Sequence, residues 1–262
     1  MCRLAAYIGP PVALSHVIVE PSHSLLEQSI HATEAKLAVQ GDGFGFAWYD
    51  HEQQMGLYRD VLPAWSDGNL LSLCRMIRSP LFLAHVRAST SGETSRVNCH
   101  PFAHGDWCFM HNGQVPRIEH IRRPLESTLP DDLYAARRGT TDSELIFLLL
   151  LANGLREDPL SAVRTVIDLL HSFSLGHPAS DAIRLTCVLS DGETLYAFRH
   201  ASDMRAPTLY LKQLCDGGRI LASEPLEPTR DGWITVGMDQ FVTISGNDPE
   251  FADIFGACAE VA

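Results

Sequence analysis

A cysteine stands at position 2, and its place in the chain gives it chemical interest. Cysteine is small enough to permit removal of Met1. The mature chain would then carry a thiol and a free α-amine on one residue. An α-amine titrates near about 7.7–8.0, so a usable fraction is unprotonated at neutral pH. It can take the thiol proton, directly or through water, and produce the nucleophilic thiolate without a separate histidine base. A cysteine in second place is also commonplace, so Cys2 alone assigns nothing.

Three further groups carry chemistry. In His85-Val86-Arg87-Ala88-Ser89-Thr90, an apolar run from Leu81 to Ala84 delivers Arg87 to a polar end. There its guanidinium could grip a carboxylate through two parallel hydrogen bonds, or could equally serve a structural salt bridge. In His111-Asn112-Gly113, an Asn amide and a Gly N–H beyond an apolar strand could stabilise an oxyanion. The same Asn-Gly pair is also a common hairpin turn. In Thr140-Thr141-Asp142-Ser143-Glu144, Asp142 at a helix start is ordinarily a cap or dipole partner, and could instead hold a substrate ammonium. His85, His100, His104 and His111 cluster in sequence, but no metal-ligand spacing such as H-E-x-x-H occurs.

The elements that must position these groups can be read coarsely. Cys2 to Ile8 is strand-like and closed by Gly9-Pro10-Pro11. Ser24 to Ala32 and Asn69 to Ile77 have helical patterning, the second with Ser66 or Asp67 as cap. Phe44 to Tyr49 and Gly56 to Arg59 form a hairpin, and Leu81 to Val86 and Trp107 to Met110 are buried strands. Pro124 to Gly139 is polar and reads as a loop. A helix capped by Thr140 or Thr141 starts near Asp142 and stops near Asn153-Gly154, and another spans Pro159 to Phe173. Six strands follow: Arg184–Leu189, Thr194–Arg199, Thr208–Leu211, Arg219–Ala222, Trp233–Val236 and Gln240–Ile244. Strands, two helices, then strands predict two sheets with helices packed outside, an α+β fold. No Gly/Ser-rich linker divides the chain, so residues 2–262 are expected to form a single domain.

Composition narrows the function classes. A net charge of −12 argues against nucleic acid as partner. No segment reaches the roughly 18 apolar residues of a membrane span, and the opening residues do not make a signal peptide. The expectation is a cytoplasmic protein with no membrane partner. Seven cysteines occur without a C-x-x-C pair, which supports neither a zinc nor a redox motif.

The order of these features is more telling than any one of them. Cys2, then H-x-R-x-x-T, then N-x-H-P-F (Asn98 to Phe102), then H-N-G, then T-D-S-E resembles the class II glutamine amidotransferase family. Leu221-Ala222-Ser223-Glu224-Pro225-Leu226 also resembles the A-S-E-P strand of its free-standing members. The resemblance spans roughly residues 2 to 226. It implies the four-layer αββα sandwich of N-terminal nucleophile hydrolases. It also implies Cys2 as nucleophile and Asn112 and Gly113 as the oxyanion hole. Arg87, with Thr90 beside it, would bind the glutamyl carboxylate, and Asp142 the glutamyl ammonium. His100 would shape the pocket, and Gly43 and Gly45 match a D-G-x-G segment. No metal or cofactor is implied.

Departures from the sugar-amidating branch are Ala88 after the Arg, Ser91 after the Thr, and Cys-Arg-Leu in place of an opening Cys-Gly. With the chain ending at Ala262, these features are closer to a short branch that cleaves γ-glutamyl groups from thiol metabolites. The implied reaction is hydrolysis of the γ-amide of glutamine or of a small γ-glutamyl compound through a Cys2 thioester. Two alternatives stay open. One is a glutaminase subunit serving a partner synthase or peptidase subunit. The other is a non-catalytic γ-glutamyl sensor or scaffold.

Overall fold

Alternation along the opening strand dictates the layering. Strand β1 (Arg3–Ala13) turns Leu4 and Ala6 to one side and Ala5 and Tyr7 to the other, and all four are fully buried. A strand apolar on both faces must lie inside a stack. The computed structural model describes residues 2–89, 93–174, 182–246 and 248–256 and provides that stack.

Helices α1 (Ser15–Ile18) and α2 (Leu25–Ile30) follow β1. Next come the hairpin β2 (Phe44–Tyr49) and β3 (Met55–Asp60), helix α3 (Leu70–Met76), and strands β4 (Arg78–Val86), β5 (Phe102–His104) and β6 (Trp107–Gln114). Four helices then run in succession: α4 (Ile118–Glu126), α5 (Asp131–Ala136), α6 (Asp142–Ala152) and α7 (Pro159–Ser174). Strands β7 (Arg184–Ser190), β8 (Leu195–Ala201), β9 (Tyr210–Gln213), β10 (Arg219–Ala222), β11 (Trp233–Thr235), β12 (Gln240–Ile244) and β13 (Glu250–Asp253) complete the described chain.

One antiparallel sheet has the order β11-β9-β10-β1-β4-β2-β3, the other β13-β12-β8-β7-β6-β5. Three apolar cores separate four layers. Between the sheets lie Leu4, Ala6, Leu81, Leu83 and Leu221 from the first, with Cys108, Met110, Val188 and Val242 from the second. The outer face of the first sheet packs Tyr7, Phe46 and Phe82 against Val17, Leu25 and Leu70 of α1 to α3. The outer face of the second packs Phe109, Leu185 and Phe198 against α4 to α7. The αββα expectation therefore holds.

Two local expectations do not. Residues 124–139 are not a loop, since they hold the end of α4 and all of α5. Their polar composition hides Leu125 and Leu133, each planted in the core outside the second sheet. Asp131 and Asp132 in the first turn of α5 favour its start. Gly9-Pro10-Pro11 does not close β1 either. The strand runs to Ala13, with a shift in its pairing to β4 between Ile8 and Val12 absorbing the two prolines. Among the described residues no helix is long and apolar enough to cross a membrane.

Candidate active site

Sheet register brings the cysteine and the arginine together. In the β1/β4 pair Arg3 lies opposite Val86, so the next residues out, Cys2 and Arg87, meet at the same end of the sheet. The Cys2 thiol donates to the Ala88 carbonyl at 3.6 Å. Burial pushes this thiol up, while the nearby cations Arg87 and Arg3 pull it down less strongly.

Arg87 is held from both chain directions. Its N–H donates to the Gly43 carbonyl at 2.8 Å, and its own carbonyl accepts from the Asp42 N–H at 2.9 Å. Its guanidinium donates to the Asp42 carbonyl at 3.3 Å and to the Ser89 hydroxyl at 3.1 Å. The Asp42 carboxylate accepts from the Ser89 N–H at 2.7 Å. Gly43 makes this possible: its φ is +114°, and a Cβ there would lie 2.6 Å from the Cys99 sulfur.

The facing wall comes from β6 and α6. Asn112 and Gly113 sit inside β6, opposite Thr186 and Leu185 of β7, which rules out the hairpin-turn reading. Gly113 cannot carry a side chain, because a Cβ would lie 1.9 Å from the Arg184 carbonyl oxygen. The Thr141 hydroxyl caps α6 by accepting from the Glu144 N–H at 3.1 Å. That fixes Asp142, whose carboxylate accepts from the Val115 N–H at 2.9 Å and the Ser143 N–H at 2.8 Å. The His111 ring is held between the Ser143 hydroxyl at 2.9 Å and the Arg184 carbonyl at 3.2 Å.

These elements line one small cleft open to solvent, bounded by Cys2, Arg87, Ala88, Ser89, His100, His111, Gly113, Thr141, Asp142 and Ser143. Of the residues expected from sequence, Cys2, Arg87, His100, Gly113 and Asp142 come together here. Asn112 does not line the cleft. It is wholly buried, and its amide nitrogen and oxygen lack a hydrogen-bond partner among the described residues. Thr90 lies outside the described residues.

A histidine cluster backs the cleft. The His85 and His100 rings stack at 4.1 Å, and His100 meets Phe102 edge-on at 4.6 Å. Burial, helped by nearby positive charge, pushes His85 down to about 3 and His100 well below its ordinary value. Burial also lowers His111, against the pull of Asp142. Among the described residues no group of three or more His, Cys, Asp or Glu is arranged to hold a metal ion.

Sequence reasoning missed several neighbours. Asp42, Ser89 and Ser143 lie within or beside segments already noted, but nothing in their types marks them; His111, of the histidine cluster noted in the sequence, lines the cleft. Arg3 and Glu224 are a further case: they form a buried ion pair at 3.1 Å directly behind Cys2.

This arrangement can present a nucleophile, a cation and a carboxylate to one small ligand. The family model for class II glutamine amidotransferases matches residues 12–211, and the chain belongs to that family. Among its relatives is the probable glutamine amidotransferase DUG3 of Saccharomyces cerevisiae, 28% identical over 93% of this chain and 82% of that protein. The γ-glutamyl-hercynylcysteine sulfoxide hydrolase of Mycolicibacterium smegmatis is 30% identical over 89% of this chain and 91% of its own length. A solved glutamine aminotransferase class-II domain protein from Silicibacter pomeroyi is 39% identical and superposes with a TM-score of 0.77, covering 97% of this chain and 99% of its own. The chain is accordingly an enzyme of the amide-hydrolysing class.

Proposed function

We propose that this enzyme hydrolyses the γ-amide of a small γ-glutamyl compound, with Cys2 as nucleophile after Met1 is removed. The observation that carries this reading is the convergence of a thiol, a guanidinium and a carboxylate on one cleft. Arg87 takes the glutamyl α-carboxylate and Asp142 the α-ammonium. The two grips hold the γ-carbonyl carbon against the Cys2 sulfur.

The Cys2 α-amine accepts the thiol proton, and the thiolate adds to the carbonyl carbon. Negative charge gathers on the carbonyl oxygen. Gly113 N–H stabilises it, joined by the Asn112 amide, whose Nδ2 has no partner among the described residues and turns from the buried wall into the cleft to reach the oxygen. As the C–N bond breaks, the α-ammonium returns its proton to the departing amine. Water then adds to the γ-glutamyl thioester, and glutamate leaves with the thiol restored. His100 walls the pocket. Thr90 would assist Arg87.

The likeness to a γ-glutamyl-hercynylcysteine sulfoxide hydrolase supports a γ-glutamyl compound rather than free glutamine as substrate. The reading takes residues 2–262 as one domain. It also places the reaction in the cytoplasm, in keeping with the buried unpaired thiols Cys74, Cys99, Cys108 and Cys187, which suit a reducing compartment.

Intact-mass measurement followed by assay on glutamine and a panel of γ-glutamyl thiol compounds tests the proposal. The expected result is a mass lacking Met1, preference for a γ-glutamyl thiol compound, and no turnover by Cys2→Ala. Undiminished turnover by Cys2→Ala would rule the mechanism out.

A further inference from the structure

An ion pair wholly removed from water contributes little net stability, because the desolvation cost offsets the attraction. Arg3 and Glu224 are such a pair, with side chains 0% and 1% exposed. They lie one residue from the nucleophile, and their other contacts explain the placement. Arg3 Nε–H donates to the Cys2 carbonyl at 2.6 Å. The adjacent Leu4 N–H donates to the Ser223 hydroxyl at 2.7 Å, and the Leu4 carbonyl accepts from the Ser223 N–H at 2.9 Å. Chain ends fray unless tied down, and here the first peptide plane after Cys2 is tied.

Glu224 extends the tie. Its carboxylate accepts from the Thr33 hydroxyl at 2.6 Å, the Thr33 N–H at 3.0 Å, the Glu34 N–H at 2.9 Å and the His23 ring at 2.8 Å. The segment that begins at Thr33 ends at Asp42 and Gly43, the residues that clasp Arg87. One carboxylate thus joins the support of the nucleophile to the support of the anion grip.

We propose that Arg3 and Glu224 are a positioning pair for the reaction. Arg3 fixes the Cys2 carbonyl, and with it the direction of the thiol and α-amine. Glu224 holds Arg3 and locks the 33–42 segment in register with it. This rests on Cys2 being the nucleophile. The pair also sets the local field. The thiol is faced by Arg3 at the start of β1 and by Arg87 from the end of β4, and in the mature chain it shares its residue with the α-amine. His100 faces it from the segment before β5, His111 from β6 and Asp142 from α6. Glu224 neutralises Arg3, so removing either partner alone changes the charge next to the sulfur, with opposite signs.

The test compares Arg3→Gln, Arg3→Lys, Glu224→Gln and the apolar double variant Arg3→Met/Glu224→Leu. Two readouts are taken: kcat and KM on the preferred γ-glutamyl substrate, and the pH midpoint of Cys2 alkylation by iodoacetamide, followed by mass spectrometry. Glu224→Gln should move the alkylation midpoint down, and Arg3→Gln should move it up. The double variant should return it to the wild-type value. Arg3→Lys should keep the midpoint but not the activity, because an ammonium cannot reproduce the planar fork. In all four, kcat should fall on the order of 10²-fold, the penalty for a displaced reacting group; KM should stay nearly unchanged in the two Arg3 single variants and rise where Glu224 is replaced, because the segment that clasps Arg87 loses its tie.

Wild-type kcat in the folded variants, or midpoints moving in the same direction for both charge-removing variants, would overturn the proposal. If the single variants do not fold, the double variant decides: low kcat with a wild-type alkylation midpoint supports the pair, and wild-type kcat overturns it. Failure of the hydrolase reading would be seen separately, as turnover surviving Cys2→Ala, while the alkylation midpoints still report on the pair.

Discussion

At the scale of single residues, the active-site wall depends on an atom that is missing. Gly113 passes so close to the Arg184 carbonyl that any Cβ would overlap it at 1.9 Å, and both partners are strand backbone that cannot move aside. Gly113→Ala should therefore push β6 away from β7 and displace the N–H assigned to the oxyanion. The expected result is a loss of kcat of about 10²–10³-fold, the usual effect of losing one oxyanion donor. Steady-state kinetics on protein with a normal circular dichroism spectrum would check it. Cys2 carries a second prediction. Burial pushes its thiol up, so the proposed mechanism needs the α-amine in its neutral form to accept the proton. kcat/KM should rise with pH through about 7.7–8.0, the α-amine range. Protein retaining Met1 should show no such limb and no activity, which a pH–rate profile on both mass-defined forms would reveal.

Among the elements, α6 carries the carboxylate proposed to hold the substrate ammonium. Its start is fixed by the Thr141 cap, and Glu144 takes the N–H groups of Arg138 and Gly139 at 2.9 and 2.7 Å instead of closing a box onto Thr141. Thr141→Ala should cost about 1 kcal/mol of stability, typical for a lost cap. It should also raise KM, because Asp142 follows the cap; urea denaturation and kinetics read the two effects separately. This helix start was legible in sequence because cap chemistry is local. So were β2, β10, β12 and α7, where alternation or helical spacing runs without interruption. Elements α4 and α5 were not, because α4 contains Pro124 and each presents only one or two deeply buried apolar residues. The site was legible in the same uneven way. Cys2, Arg87, Gly113 and Asp142 stand in recognisable strings, and strand register carries them to one cleft. Arg3 and Glu224 are 221 positions apart, and no local pattern connects them; only the pairing of β1 with β10 does.

Across the whole molecule, four layers leave the cleft at one end of two stacked sheets and bury titratable groups behind it. His85 is 1% exposed, and burial holds it at about 3 against an ordinary 6.5. The unfolded chain therefore binds a proton that the native chain refuses between those values. Stability from this source is complete above pH 6.5, falls as pH drops towards 3, and is level below that. Glu224 acts in the same direction lower down. Burial raises its carboxyl, but the hydrogen bonds from Thr33, His23 and Glu34 outweigh that and hold it at about 2, against 4.5. Its contribution is present above 4.5 and is lost between 4.5 and about 2. The two windows overlap between 4.5 and 3, so acid should weaken the fold continuously from just below neutrality and most steeply in the overlap. Urea unfolding at pH 7 and pH 5 should differ by about 2 kcal/mol from His85 alone, since a depressed pKa costs about 1.4 kcal/mol per pH unit travelled below the unfolded value. His85→Asn should remove the His85 share of the slope between pH 6.5 and 5, leave the shares of His100 and His111, and keep the steeper fall below 4.5 in place. An unchanged slope in that variant would mean that His85 titrates in the folded enzyme, and that the interior behind Cys2 is wetter than its burial implies.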